Sequence, residues 1–217
     1  EDLYLSFEAN QEEFSVTKYK EKLDSADVII AYAGTNLSDS AESYDRKSID
    51  LPLSQSHVQA LTSAYPEKTI VAMQTVGQVN VEPFEKDARA IIWTSYNGQT
   101  QGTALGKILS GQVNPSGKLT ATWYKSEDLE LMPIETEGVK GEDGITRYFN
   151  DYNIQSRSGF PGLTYQYYSG TPVYPFGFGL SYTDFRYSNI KLSERYISAN
   201  EKIKISADIE NVGTVYG

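Results

Sequence analysis

The run Val28-Ile29-Ile30-Ala31-Tyr32-Ala33-Gly34 shows no polar alternation before its glycine. A strand built this way expects cover on both faces, the habit of parallel sheets whose crossover helices lie on either side. Beyond Gly34 the chain becomes polar, and Asp39, Glu42, Asp45 and Arg46 precede Leu51-Pro52. A strand that ends in a loop of carboxylates suits an active-site acid, because the sheet fixes the base of the loop while its tip stays within reach of a ligand. Composition leaves other readings open. An acid in a polar loop is commonly a solvated surface charge, and three acids supply the oxygens that a hard cation wants, although their spacing fits no known cation loop.

The flanking sequence repeats the same alternation of elements. Residues 3–7 suit a short strand, and Val16, Tyr19, Leu23 and Ala26 recur at helical spacing before Asp27. Downstream, Ser54 is a candidate N-cap for a helix with Val58, Leu61 and Tyr65 on one face. Residues 69–73 and 90–93 are two more apolar strands, with a loop through Gly77 and a short helical piece at 83–86 between them. A polar loop carrying Asn97 and Gln99 then leads to a helix marked by Ala104, Leu105, Ile108 and Leu109, closed by Gly111. Strand and helix in regular succession predict an α/β fold, a mostly parallel sheet flanked by helices, with ligands met at the carboxyl ends of strands. The Glu42 loop and the Asn97 loop both leave such ends.

After Asn114-Pro115-Ser116-Gly117-Lys118 the regularity fades. One strand is expected at 119–123, followed by a long irregular excursion over 138–174, a length at which loops tend to be functional or rim structure. In the tail Ile203, Ala207 and Ile209 alternate with polar residues, which predicts a half-buried strand, and residues 187–192 suit its partner. Two or three strands fall short of an immunoglobulin-like sandwich of about 100 residues. The chain is therefore expected to stop inside a further domain.

Composition excludes several classes. Nineteen basic residues against twenty-nine acidic ones give a formal charge of -10, which disfavours nucleic acid as a partner. With no cysteine and one histidine, thiolate chemistry and histidine-rich metal sites are out, and neither a metal nor a cofactor is expected. No apolar run approaches the roughly 20 residues of a membrane span, and the N-terminus does not resemble a signal peptide. A secreted or periplasmic location is favoured, with the cytoplasm left open. Of seventeen tyrosines, ten lie from Tyr148 onward around glycine and proline, so they form no helical stripe. Loop packing is the preferred reading for them, with a ligand-binding surface as the rival. Trp93 and Trp123 read as core or interface packing.

Four strings in order carry a family resemblance: Ala26-Asp27-Val28-Ile29-Ile30; Glu42-Ser43-Tyr44-Asp45-Arg46 with Leu51-Pro52; Asn114-Pro115-Ser116-Gly117-Lys118-Leu119; and Tyr174-Pro175-Phe176-Gly177-Phe178-Gly179-Leu180-Ser181-Tyr182-Thr183-Asp184-Phe185. The chain resembles the C-terminal half of family 3 glycoside hydrolases, the β-glucosidase and β-xylosidase group. The resemblance implies an α/β sandwich over residues 1–183 that lacks its first strand, followed over 184–217 by a truncated fibronectin type III-like segment. It implies a partner as well, a (β/α)8 barrel absent from this sequence that carries an aspartate nucleophile.

The position matching the family's general acid/base is Glu42, and Asp45-Arg46 match an adjoining pair whose part is more structural. A retaining glycosidase needs two carboxyls about 5 to 5.5 Å apart, one to attack the anomeric carbon and one to protonate the leaving oxygen. Only the second is expected here, with its pKa raised once the barrel docks. The substrate implied is a β-glycoside or oligosaccharide ending in glucose or xylose. Arg46, Asn97 and Gln99 are the substrate-binding candidates, with pairing to Asp45 or loop capping as the competing role for Arg46. The rival to the enzyme is a non-catalytic carbohydrate-binding or scaffold module that uses the tyrosine-rich segment. A metal-dependent enzyme using Asp39, Glu42 and Asp45 is the third possibility.

Overall fold

The computed structural model describes residues 4–5, 15–41, 46, 48–52, 54–130, 139–140, 146–147 and 161–217. They fall into two compact units, Glu1–Gln99 with Thr122–Pro175 and Thr100–Ala121 with Phe176–Gly217.

In the first unit β1 (Tyr4–Leu5), β2 (Ile29–Gly34), β3 (Thr69–Gln74) and β4 (Ala90–Thr94) form one sheet in chain order, every neighbouring pair parallel. α1 (Lys20–Ser25) lies between β1 and β2, and α2 (Gln55–Ala64) between β2 and β3. β3 and β4 are joined by turns alone. Where a helical piece is expected at 83–86 there are single helical turns, in which Glu85 N–H bonds the Val81 carbonyl (2.8 Å) and Ala88 N–H that of Phe84 (2.9 Å). Phe84, Val79 and Val81 are buried nonetheless and extend the core past the strand ends.

Register decides which side chains share a face. Ile29 stands beside Thr69, Ala31 beside Val71 and then Ile91, and Ala33 beside Met73 and then Trp93. α2 covers this face with Val58 and Leu61 buried, and the Thr69 hydroxyl donates to the Tyr65 carbonyl at the helix end (2.8 Å). Buried Thr62 likewise donates to the carbonyl of Val58 (3.0 Å), so neither hydroxyl is left unpaired inside the core. Cover on both faces holds for β3, where Val71, Ala72 and Met73 are all buried, but not for β2, where Tyr32 is 44% exposed. A tyrosine tolerates that exposed face because its polar tip has a partner, the Gln74 side-chain carbonyl.

Helix limits differ from expectation for local reasons. α1 is a single short segment, with residues 16–19 in turns ahead of it. Its Leu23 is buried, and its Asp24 carboxylate accepts from Lys20 (2.6 Å) and from the Tyr65 phenol (2.8 Å). Ser54 does precede α2, but its backbone is already helical (φ -98°, ψ -12°) and its hydroxyl donates to the Pro52 carbonyl (3.2 Å) instead of capping.

The expected strand at 119–123 is not continuous. In the first unit Trp123 N–H bonds the Tyr174 carbonyl (2.8 Å) and its own carbonyl accepts from Val173 N–H (2.9 Å). In the second unit Leu119 exchanges bonds of 2.8 Å with the Phe178 carbonyl and the Gly177 N–H. Thr120 and Ala121 bend between them, which breaks the ladder. The Trp123 ring stands edge-on to Trp93 (5.6 Å between centroids, 81°) and tilted against Tyr174 (5.9 Å), so both tryptophans serve as packing.

The second unit opens with α3 (Gln101–Leu109), closed at Gly111, whose φ of +73° is a left-handed stop. The first unit also holds α4 (Ser126–Glu130), the two-residue antiparallel pair β5 (Val139–Lys140) with β6 (Thr146–Arg147), and α5 (Thr164–Tyr167). β5, β6 and α5 are the regular elements that the described residues show of the excursion over 138–174, about half of which lies outside them. The tail, in the second unit, forms an antiparallel ribbon of β7 (Phe185–Leu192) and β8 (Ile205–Asn211).

Between Ser188 and Lys191 the ribbon's register shifts, with Asn189 at φ +51°. This β-bulge switches the parity of β7, so Phe185 and Tyr187 before it share a face with Ile190 and Leu192 after it, and with Ile205, Ala207 and Ile209 across the ladder. The half-buried strand predicted there is instead exposed along its whole length, and β7 is exposed with it. No third strand joins the ribbon among the described residues.

Two measurements test this packing. A Cβ on Gly34 would stand 2.7 Å from the Gln74 backbone oxygen, so Gly34→Ala should cost about 1–3 kcal/mol in a denaturant melt. Burial first, and then the Glu85 carboxylate, push the Tyr174 phenol from 10.0 up to about 12. The folded state therefore holds a proton that the unfolded chain releases near 10.0, and stability should fall as pH rises from there to about 12. Tyr174→Phe should flatten that part of the melting-temperature profile.

Candidate active site at the carboxyl ends of the strands

The loop that leaves β2 lies on the loop that leaves β3. Its outgoing limb starts at buried Thr35, whose N–H bonds the Gln74 carbonyl (3.1 Å) while its hydroxyl accepts from Val76 N–H (3.1 Å). Asn36 and Asp39 then close a small turn. Asp39 takes the Asn36 N–H on its carboxylate (2.7 Å), and Asn36 takes the Ser38 N–H on its side-chain oxygen (2.7 Å). Glu42 and Asp45 lie outside the described residues. Of the three acids in the cation reading, the one described thus already serves the backbone.

The return limb begins at Arg46, which is half-buried. Its Nη2 donates to the Gln78 backbone carbonyl (2.7 Å), while Nη1 is buried with no hydrogen-bond partner among the described residues. Asn80 N–H next bonds the Ile49 carbonyl (2.7 Å), and the Asn80 side-chain amide donates to the Asp50 carboxylate (2.9 Å). That amide is the main reason why the Asp50 carboxyl sits below its ordinary range. Leu51 N–H then bonds the Gln55 side chain (2.9 Å), which carries the limb into α2.

Gln78 is itself clamped. Its side-chain amide donates to the Tyr124 carbonyl (2.6 Å) and accepts from the Tyr124 N–H (3.0 Å). Tyr124 in turn stands edge-on to Tyr168 (5.0 Å, 82°) and takes the Thr164 N–H on its phenol oxygen (2.7 Å). Burial first, then the hydrogen bond to Asp128, raises the Tyr168 phenol well above its ordinary value. These tyrosines are loop packing, in line with the preferred reading of the sequence; Tyr165 beside them is 70% exposed.

Asn97 and Gln99 follow the end of β4 and are exposed. The sequence would bring them beside the Glu42 loop if their strands were neighbours, and they are not, because β3 lies between β2 and β4. Two strand spacings separate the loops, about 10 Å. Tyr96 bridges that gap, its phenol 3.0 Å from the Thr35 hydroxyl. Sequence reasoning passed over Tyr96, Gln78 and Asn80. A usable signal existed for the last two, since both sit just past the carboxyl end of β3, the strand between the two candidate loops.

A parallel α/β sheet with polar loops gathered at its carboxyl ends is the arrangement in which open α/β domains generally meet a ligand. Residues 8–182 match the family model described as glycosyl hydrolase family 3 C-terminal domain, and the chain belongs to that family. It is 36% identical to the probable beta-D-xylosidase 6 of Arabidopsis thaliana over 75% of this chain and 19% of that protein. To the exo-1,4-beta-xylosidase xlnD of Aspergillus awamori it is 32% identical over 88% of this chain and 22% of that protein. The crystal structure of beta-glucosidase from Kluyveromyces marxianus in complex with glucose superposes with a TM-score of 0.70 at 29% identity, over 93% of this chain and 22% of that one. The chain thus spans about a fifth of the length of these relatives.

Asn97 and Gln99 are open to solvent, so Asn97→Ala and Gln99→Ala should each leave stability within about 0.5 kcal/mol of the parent in thermal melts. A larger loss would mark them as fold supports and remove them as substrate-binding candidates.

Proposed function

We propose that this chain is the part of a retaining β-glycosidase that supplies the general acid/base, Glu42, to an aspartate nucleophile on a (β/α)8 barrel outside this sequence. The observation that carries the reading is the family match across residues 8–182, which includes the loop from the carboxyl end of β2. The substrate is an oligosaccharide or β-glycoside ending in β-linked xylose or glucose, and the xylosidases among the similar proteins favour xylose. Glu42 protonates the glycosidic oxygen as the nucleophile attacks, then activates the water that releases the sugar. Anchoring of Thr35 and of Arg46 to the β3 loop supports this role, since proton transfer needs a donor held at a set distance from the leaving oxygen. Arg46 acts as loop anchor more than as sugar contact, its Nη2 being engaged by Gln78. Asn97 and Gln99 remain candidates for orienting sugar hydroxyls.

The domain reading accompanies this one. Residues 1–183 are the α/β sandwich and 184–217 belong to a fibronectin III-like domain, which the antiparallel β7–β8 pair supports.

In the full-length enzyme, Glu42→Gln should lower kcat on an unactivated β-linked disaccharide by about 10²–10⁴ while leaving the melting temperature unchanged. The chain alone should not turn over an aryl β-xyloside or β-glucoside. Rapid hydrolysis by the isolated chain would sink the division of the site between two domains. Oligosaccharide binding that survives Glu42→Gln, without loss of activity in the full-length protein, would point to a carbohydrate-binding module instead.

A further inference from the structure

We propose that Asn80 is a positioning residue for the general acid/base, seating the return limb of the Glu42 loop on the loop that follows β3. The inference rests on the reading of Glu42 given above and concerns how the chain holds that residue in place. Three positions on the return limb touch the β3 loop: Arg46 through the Gln78 carbonyl (2.7 Å), Ile49 through Asn80 N–H (2.7 Å), and Asp50 through the Asn80 side chain (2.9 Å). Asn80 supplies two of these three bonds.

Its side chain cannot turn away freely. While Nδ2 donates to Asp50, Oδ1 accepts from the Glu82 N–H (3.1 Å), so a rotation that releases one partner releases the other. The segment beneath it is fixed by the two bonds between Gln78 and Tyr124. The outgoing limb is held by the end of β3 through Gln74 and by the same loop through Val76. The two limbs that flank Glu42 in the sequence therefore share one support, and Asn80 is the point where that support grips the second limb twice. A charge-assisted bond to Asp50 is directional and stronger than a neutral one, which suits a residue that sets position.

The chemistry supplies a readout that a merely structural residue would not move. A poor leaving group needs its oxygen protonated as the bond breaks, whereas an activated aryl leaving group departs with little help. Misplacing the acid by a fraction of an ångström should therefore slow the first class of substrate more than the second.

The test is made in the full-length enzyme with three variants: Asn80→Asp, Asp50→Asn with Asn80→Asp, and Glu42→Ala. Asn80→Asp sets two carboxylates against each other, and the double variant restores a donor–acceptor pair with the roles exchanged. The expected result is a roughly tenfold fall in kcat/KM on a disaccharide substrate for Asn80→Asp, a much smaller fall in kcat/KM on a dinitrophenyl glycoside, and recovery in the double variant. Equal losses on both substrates, a change in KM alone, or no recovery would overturn the proposal. Should Asn80→Asp melt below the assay temperature, Asn80→Ala removes the bond without adding charge and is subject to the same comparison. Glu42→Ala separates the two ideas. If it shows no leaving-group dependence, the acid/base reading itself fails; if it does and Asn80→Asp does not, only the positioning role fails.

Discussion

The bond from Thr35 N–H to the Gln74 carbonyl (3.1 Å) is the last rung between β2 and β3, and the loop geometry beyond depends on it. It requires the two backbones to meet where a Cβ on Gly34 would overlap the Gln74 oxygen. Close approach at that point keeps the two loops in contact as they leave the sheet. Val76 can then reach the Thr35 hydroxyl, and further along Gln78 and Asn80 meet Arg46, Ile49 and Asp50. Without a side chain of its own, Gly34 allows one loop to serve as the bed of the other.

The sheet was legible because burial imposes a pattern on sequence. Apolar runs at 28–33, 69–73 and 90–93 correspond to β2, β3 and β4 within a residue at each end. What lies beyond the strand ends follows no period. The clamp of Gln78 on Tyr124 and the bridge from Tyr96 to Thr35 join residues far apart in the chain through single side-chain bonds, and polar residues in loops look alike whether or not they make such bonds. The proposal of Glu42 rests on family resemblance, since residue chemistry alone left three acids with equal claims. The break in the strand at 119–123 was hidden because Leu119 and Trp123 each find an extended partner and only Thr120 and Ala121 between them bend away.

Two of the strings that made the family recognisable, at 114–119 and 174–185, brace one another. In the second unit the Asn114 side chain bonds the Ser181 hydroxyl (2.9 Å), the Tyr182 N–H (2.8 Å) and the Tyr216 carbonyl (2.9 Å), and the Tyr182 phenol reaches back to the Ile108 carbonyl (2.9 Å). Lys118 adds a bond to the Gly179 carbonyl. One amide side chain thus satisfies backbone groups from two distant segments, which explains why an asparagine belongs in the turn string and a serine–tyrosine pair in the aromatic one. The clearest motifs of the chain are scaffold, whereas the loop proposed to carry the acid/base has the plainest composition.

The bulged ribbon of β7 and β8 differs energetically from the sheet. Tyr187, Ile190, Ile205 and Ile209 lie on its apolar face and each is more than 60% exposed. Such a ribbon is held together by its ladder and by cross-strand pairs such as Arg186 with Glu210, with little contribution from removing apolar surface from water. Sheet and ribbon thus draw on different forces, buried apolar area in the first and hydrogen bonds with cross-strand pairs in the second.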